Sequence, residues 1–114
     1  TQRLRELTGL DAEELQAKRL LASFDRYRSR MEEPRPPVNQ SALKWLNEVF
    51  RPTLAHVPQE LVGRVEPAQM FHEILEHRWN LSEKAGGDVG LDNATKSYIS
   101  EILPFRSDSG RISL

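Results

Sequence analysis

The chain has 114 residues, enough for one core that buries roughly two-thirds of its unfolded surface but not for a second independent domain. Sixteen Lys and Arg balance seventeen Asp and Glu for a net charge of −1, without the basic excess that a phosphate backbone requires of its partner, which argues against nucleic acid. The absence of cysteine excludes a disulfide framework and thiolate metal ligation and suits a reducing cytoplasm, where the chain is expected to reside. No apolar run approaches the roughly 18 residues of a membrane span, so no membrane contact is expected.

In chain order, Leu4 and Leu7 share helical spacing within Thr1 to Thr8, and Gly9 offers a stop. The chain starts at Thr1 without an initiator Met, inside this helical stretch, and is expected to be a piece of a longer protein. Asp11 and Glu14 form a capping box for the next helix, with Leu10 and Leu15 spaced as a hydrophobic staple. Its stripe runs through Ala17, Leu20, Leu21, Phe24, Tyr27 and Met31. Glu32 to Val38 holds three prolines and reads as a surface loop. Asn39 is the expected cap of a long helix carrying Leu43, Leu46, Val49, Phe50, Thr53, Leu54 and Val57, and Pro52 within it predicts a kink or a split.

Pro58 to Val62 fits one further turn ending at Gly63. Pro67 then opens, and Gly86 closes, a helix whose face of Phe71, Ile74, Leu75, Ser82 and Ala85 has Arg78 at its centre. A guanidinium on such a face needs an anionic partner, and Glu48, Asp88 and Glu101 are the candidates. Asp88 is favoured because the chain turns back at Gly86 and Gly87. Asp92 is the expected cap of the last helix, with Leu91, Thr95, Tyr98, Ile99 and Ile102 inward and Pro104 as its stop. The fold class is therefore all-α, a compact bundle of about five helices over residues 1–104, with 105–114 as a flexible tail. The expected core includes Phe24, Leu46, Phe50, Phe71, Ile74 and Ile99.

Candidate chemistry fails on spacing. His72 and His77 lie five positions apart, about 140° around a helix, whereas helical zinc motifs need i and i+4; with no second Glu-x-x-His the solvated-face reading is preferred and no metal or cofactor is expected. Ser23, Ser29, Ser41, Ser82, Ser97 and Ser100 lack a strained elbow or a recognisable base, and Gly86-Gly87-x-x-Gly90 follows a helix where a phosphate loop follows a strand. No catalytic residue is assigned. Trp45 and Trp79 read first as packing residues and second as interface anchors. With Arg78, Asp88 and Glu101 they make up the structural or partner-contact candidates.

The segments L-T-G-L-D-A-E-E-L-Q-A-K-R-L-L (Leu7 to Leu21), W-L-N-E-V-F-R-P (Trp45 to Pro52) and E-P-A-Q-M-F-H-E-I-L-E-H-R-W-N-L-S-E-K-A-G-G-D-V-G-L (Glu66 to Leu91) carry a resemblance. They are similar to a bacterial domain of unknown function found C-terminal to a domain resembling lipopolysaccharide kinases of the protein-kinase-like fold. The likeness spans nearly all of the chain except Met31 to Val38 and the tail. It brings no established catalytic residue, and the kinase motifs themselves are missing: no Gly-rich loop after a strand, no Val-Ala-Ile-Lys, no Asp-Phe-Gly. What it implies is a noncatalytic accessory or regulatory module whose partner is the kinase-like domain of the same polypeptide or another protein. The competing expectation is a nucleic-acid-binding helical domain, which would need Arg19, Arg26, Arg51 and Arg64 to form one basic patch.

Overall fold

The computed structural model describes Leu7 and residues 14–106, and the described residues are helical, with no strand among them. They form four helices where about five were expected; the expected first one, Thr1 to Thr8, and the Asp11 capping box lie outside the described residues, apart from Leu7 and Glu14. Helix α1 spans Glu14–Ser29. Helix α2 is built from Val38–Trp45, a π-helical turn at Leu46–Phe50 and a last α turn at Arg51–Leu54. Helices α3 and α4 are Pro67–Ala85 and Leu91–Glu101, and short 3-10 turns lie at Gln59–Leu61 and Leu103–Phe105. Two compact units share the chain, Thr1–Pro52 and Thr53–Leu114.

In the first unit, α1 buries Ala17, Leu20 and Phe24, the inner members of its predicted stripe, while Leu21, Tyr27 and Met31 are half-buried at its edges. Trp45 is the centre of an aromatic cluster. Its ring meets Phe24 edge-on at 6.2 Å and Phe50 at 5.7 Å, both within the range of favourable aromatic pairs. The indole Nε1 donates to Ser23 Oγ at 3.4 Å, so the polar end of the buried ring is also satisfied. Asn39 does not cap α2. Pro37 takes that position, its φ fixed by its ring and its ψ extended, and its carbonyl accepts the Ser41 amide at 2.9 Å.

Pro52 does not split α2. A proline removes one amide and presses its ring on the carbonyl four residues back, here that of Glu48. The π turn immediately before it absorbs this conflict by adding one residue to the turn, and the Arg51 amide reaches the Leu46 carbonyl, five positions back. Leu43, predicted inward, is exposed, because in the α segment ahead of the π turn the buried face is already set by Ser41, Ala42 and Trp45; Leu46 and Phe50 in the π turn are buried too.

In the second unit, Val65, Met70, Ile74, Tyr98 and Leu103 form a buried cluster, with Leu54, Val57, Leu61, Leu91, Ile99 and Ile102 packed against it. Each large apolar side chain removed from water contributes about 2 kcal/mol, and the cluster draws on both α3 and α4. Helix α3 has Pro67 at its start, where a missing amide costs nothing, and Gly86 at its end with φ of 78°. Gly90, with φ of 85°, caps α4 in place of the expected Asp92, which instead lies in the first turn. The glycine corner thereby brings α4 back along α3.

Candidate functional site

The glycine corner carries the Arg78 pair. Arg78 Nε and Nη2 donate to the two oxygens of Asp88 at 2.9 and 2.6 Å, a bidentate fork that lysine cannot reproduce. Asp88 Oδ1 also accepts the Gly90 amide, and Ser82 Oγ accepts the Val89 amide, so side chains bond the turn at both ends. The Arg78 side chain is 15% exposed but that of Asp88 is 55% exposed, which makes this a clamp at the surface end of the helix pair and not a buried one. Glu101, the other candidate on α4, does not join it. It accepts the Ser97 hydroxyl at 2.7 Å one turn back on its own helix.

The two tryptophans separate. Trp45 is wholly buried, as a packing residue, whereas Trp79 is 61% exposed on α3, against the packing expectation. Trp79 lies about 100° around the helix from Arg78, on the same side as the buried Ala68 and His72, but two turns beyond His72, in the stretch 79–85 where no residue is buried.

The polar groups that sequence reasoning missed lie along α3, α4 and the segment after Leu103. Glu73 Oε1 accepts the Tyr98 hydroxyl at 2.7 Å and Arg106 Nε at 3.0 Å, and Oε2 accepts Arg106 Nη2 at 2.7 Å and Gln69 Nε2 at 2.6 Å. Four donors thus converge on one carboxylate whose side chain is 15% exposed. Burial, and then the bond to the Glu73 carboxylate, push the Tyr98 hydroxyl well above its ordinary pKa, because ionisation would set an anion against an anion. Arg106, read as the second residue of a flexible tail, is held here, and its own carbonyl and that of Pro104 accept Arg64 Nη1 at 3.2 and 3.0 Å. Residues 107–114 lie outside the described residues.

Beside this network an open cleft of about 250 Å³ is lined by His72, Glu76, His77, Asn80 and Ile102 among others. His72 and His77, although far apart around the helix, both reach it, and His72 is buried, not on a solvated face. His77 Nε2 lies 2.8 Å from Ser97 Oγ, which donates to Glu101. With its proton on the carboxylate side, that serine accepts from the imidazole and donates away from it. A nucleophilic serine requires the opposite polarity, its proton going to the imidazole. Among the described residues no group of three or more His, Asp or Glu side chains is arranged to hold a metal ion. No described helix is long and apolar enough to cross a membrane.

A small all-α chain, with mutually engaged polar side chains on one helix pair, is the class that fold and site define. A family model described as a domain of unknown function (DUF4032) matches residues 1–103, and the chain belongs to that family. No curated protein and no solved structure matches it.

Proposed function

We propose that the chain is a noncatalytic helical accessory or regulatory domain of a bacterial, cytoplasmic kinase-like protein, acting by contact with a kinase-like domain of the same polypeptide or of another protein. The resemblance of Glu66 to Leu91 supports that context; the family match itself supports a domain of unknown function. The observation that carries the noncatalytic part is the mutual engagement of the polar groups. Glu73 takes four donors, the Arg78 fork is closed on Asp88, and Ser97 donates to a carboxylate. Groups bonded in this way hold backbone segments together, whereas a general base or nucleophile must present a lone pair to a substrate. The basic residues that nucleic-acid binding would use are also partly engaged: Arg51 donates to Asn47, and Arg64 holds the carbonyls of Pro104 and Arg106.

The experiment is to express the kinase-like segment of the same open reading frame with and without this chain, and to measure association by calorimetry and phosphotransfer by radiolabel. Association, or a changed phosphotransfer rate, is expected. Two separately folded segments with no association and unchanged phosphotransfer would reject the proposal.

A further inference from the structure

We infer that the outward face of α1, a strip of exposed charges from Lys18 to Arg30, is a docking surface for an acidic protein segment that also presents one cation. The inference deepens the accessory-domain reading by naming the surface and the chemistry of its partner, and it rests on that reading only for the partner's identity.

The near-neutral chain is not evenly charged. Residues 14–52 carry eight Lys and Arg against five Asp and Glu, whereas residues 53–106 carry five against eight. On α1, Lys18, Ala22, Asp25, Arg26 and Ser29 are all exposed and lie within about 100° of one another around the helix, opposite the buried Ala17, Leu20 and Phe24. Arg30, also exposed, follows in the next turn, where its amide bonds the Tyr27 carbonyl at 3.2 Å. Among the described residues, no ion pair engages Lys18, Asp25, Arg26 or Arg30. Arg19 lies on the same side with a partner of its own, and the half-buried Arg28 bonds the Pro36 carbonyl. Ser29 folds its hydroxyl onto the Arg26 carbonyl at 2.8 Å and Ala22 ends in a methyl group, so neither obstructs a segment laid along the strip.

Arg26 and Arg30 stand four positions apart, like charges that repel one another until an anion joins them. The dipole of α1 favours a cation in its last turn, which suits Arg26 but not Lys18, about 12 Å nearer the start. Three cations over about 18 Å therefore match carboxylates set at similar intervals on a partner. Along the axis the charges read plus, minus, plus, plus. A protein segment can set a lysine or arginine against Asp25 and carboxylates against the rest. A phosphate backbone or an anionic lipid surface is negative throughout and meets Asp25 with like charge.

The probe is a capped 13-residue peptide of alanine and glutamine, with glutamate at positions 1, 5 and 13 and lysine at position 6. Its reverse and a counterpart with the two charges exchanged accompany it. Each is titrated into the chain at about 50 mM salt, where screening is modest, and followed by amide chemical shifts. Saturable binding of one of the two orders is expected, with shifts concentrated in residues 18–30, and no binding of the exchanged peptide. Exposed pairs are individually weak, so Lys18→Gln, Arg26→Gln and Arg30→Gln together should weaken it about tenfold with unchanged circular dichroism, while Lys84→Gln on α3 leaves it unchanged. Asp25→Asn should weaken the peptide about twofold, whereas it would strengthen any uniform polyanion. The inference is overturned if neither order saturates, if the exchanged peptide binds equally, if the triple variant binds like wild type, or if Asp25→Asn tightens the complex. A DNA duplex or phosphatidylserine vesicles that bind this strip more tightly than the peptide, at equal concentration of negative charge, would reassign it to a polyanion and also overturn the inference. Should the kinase-like segment associate equally with wild type and the triple variant, the surface falls and the accessory-domain reading stands. Should the peptide bind as expected while that segment does not associate, the surface stands and the partner assignment falls.

Discussion

The two units of the chain are held by different chemistry. In the first, three aromatic rings, Phe24, Trp45 and Phe50, occupy the interior, and the Trp45 indole donates a long hydrogen bond to Ser23. In the second, a cluster of aliphatic side chains around Tyr98 shares α3 and α4 with a carboxylate that collects that phenol, a guanidinium and an amide. Apolar packing is tolerant of partner identity but sensitive to volume. A converging polar network is the reverse, because one deletion leaves several donors without acceptors.

The largest effect is therefore expected in the first unit. Trp45→Ala removes the ring that both Phe24 and Phe50 contact and leaves a cavity, costing about 3–5 kcal/mol in denaturant unfolding. Trp45→Phe should recover more than half of that. A loss below about 1 kcal/mol for the Ala variant would show that the aromatic cluster does not hold this unit.

In the second unit, Glu73→Ala strands Tyr98, Arg106 and Gln69 at once. Arg106 is 36% exposed and can turn toward water, so the expected cost is about 2–3 kcal/mol, less than for a fully buried ion pair. Glu73→Gln should lose nearly as much, since an amide nitrogen faces donors. If Glu73→Ala costs nothing, the network is a surface ornament and the contrast between the units disappears.

Alkaline pH sharpens the same contrast. Tyr98 has a pKa raised above that of the unfolded chain, first by burial and then by Glu73; Tyr27 is raised to about 12, first by burial and then by its 2.9 Å bond to Glu48. The unfolded phenol loses its proton near 10 while the folded one keeps it, so the unfolded state binds fewer protons and stability falls as pH rises above about 10. For Tyr27 the decline ends near its folded value of about 12. Melting temperatures of Tyr98→Phe and Tyr27→Phe should each fall less steeply than wild type above that pH. A wild-type slope retained in both variants would assign the alkaline loss to other groups.

The Arg78 clamp ranks below these. Because Asp88 stays 55% exposed, its charge returns to water when the arginine is removed, and Arg78→Ala should cost about 1–2 kcal/mol, not the larger loss of a buried pair. Arg78→Lys should restore only part, having one point donor in place of a fork. A wild-type unfolding midpoint for Arg78→Ala would remove the corner from the list of stabilising features.

What sequence reasoning could reach divides along the same line of locality. Pro67 and Gly86 mark the ends of α3 because each acts on its own backbone, and Asp88 was identifiable as the Arg78 partner because only a tight corner, ten positions in all, separates them. Glu73 with Tyr98 and Arg106 was not legible, since those partners are 25 and 33 positions away and a polar residue on a helix carries no mark of what the fold brings to it. Trp79 was misread because a wheel gives the side of a helix and not how far along it other elements cover that side: His72, two turns earlier on the same side, is buried, and no residue from 79 to 85 is. Trp45 carried the same packing reading and fulfils it, because Phe24 on α1 meets its ring and the π turn brings Phe50, five positions on, round to it.

The smallest expected effect tests why α2 carries a π turn. If the Pro52 ring imposes it, Pro52→Ala lets residue 52 bond the Glu48 carbonyl, the extra residue is expelled, and stability rises by up to about 1 kcal/mol as a helix-breaking residue is lost. If packing of Leu46 and Phe50 imposes it, the turn persists and stability changes little, since both side chains are buried and a return to α geometry would rotate one of them outward. The proline account is preferred because the π turn ends directly before Arg51 and Pro52 and the helix resumes α geometry through them. Amide hydrogen exchange at Arg51 and at residue 52 of the variant distinguishes the two. A protected new amide at 52 with a shifted Arg51 signal supports the ring; an unprotected one with Arg51 unchanged assigns the turn to the aromatic core.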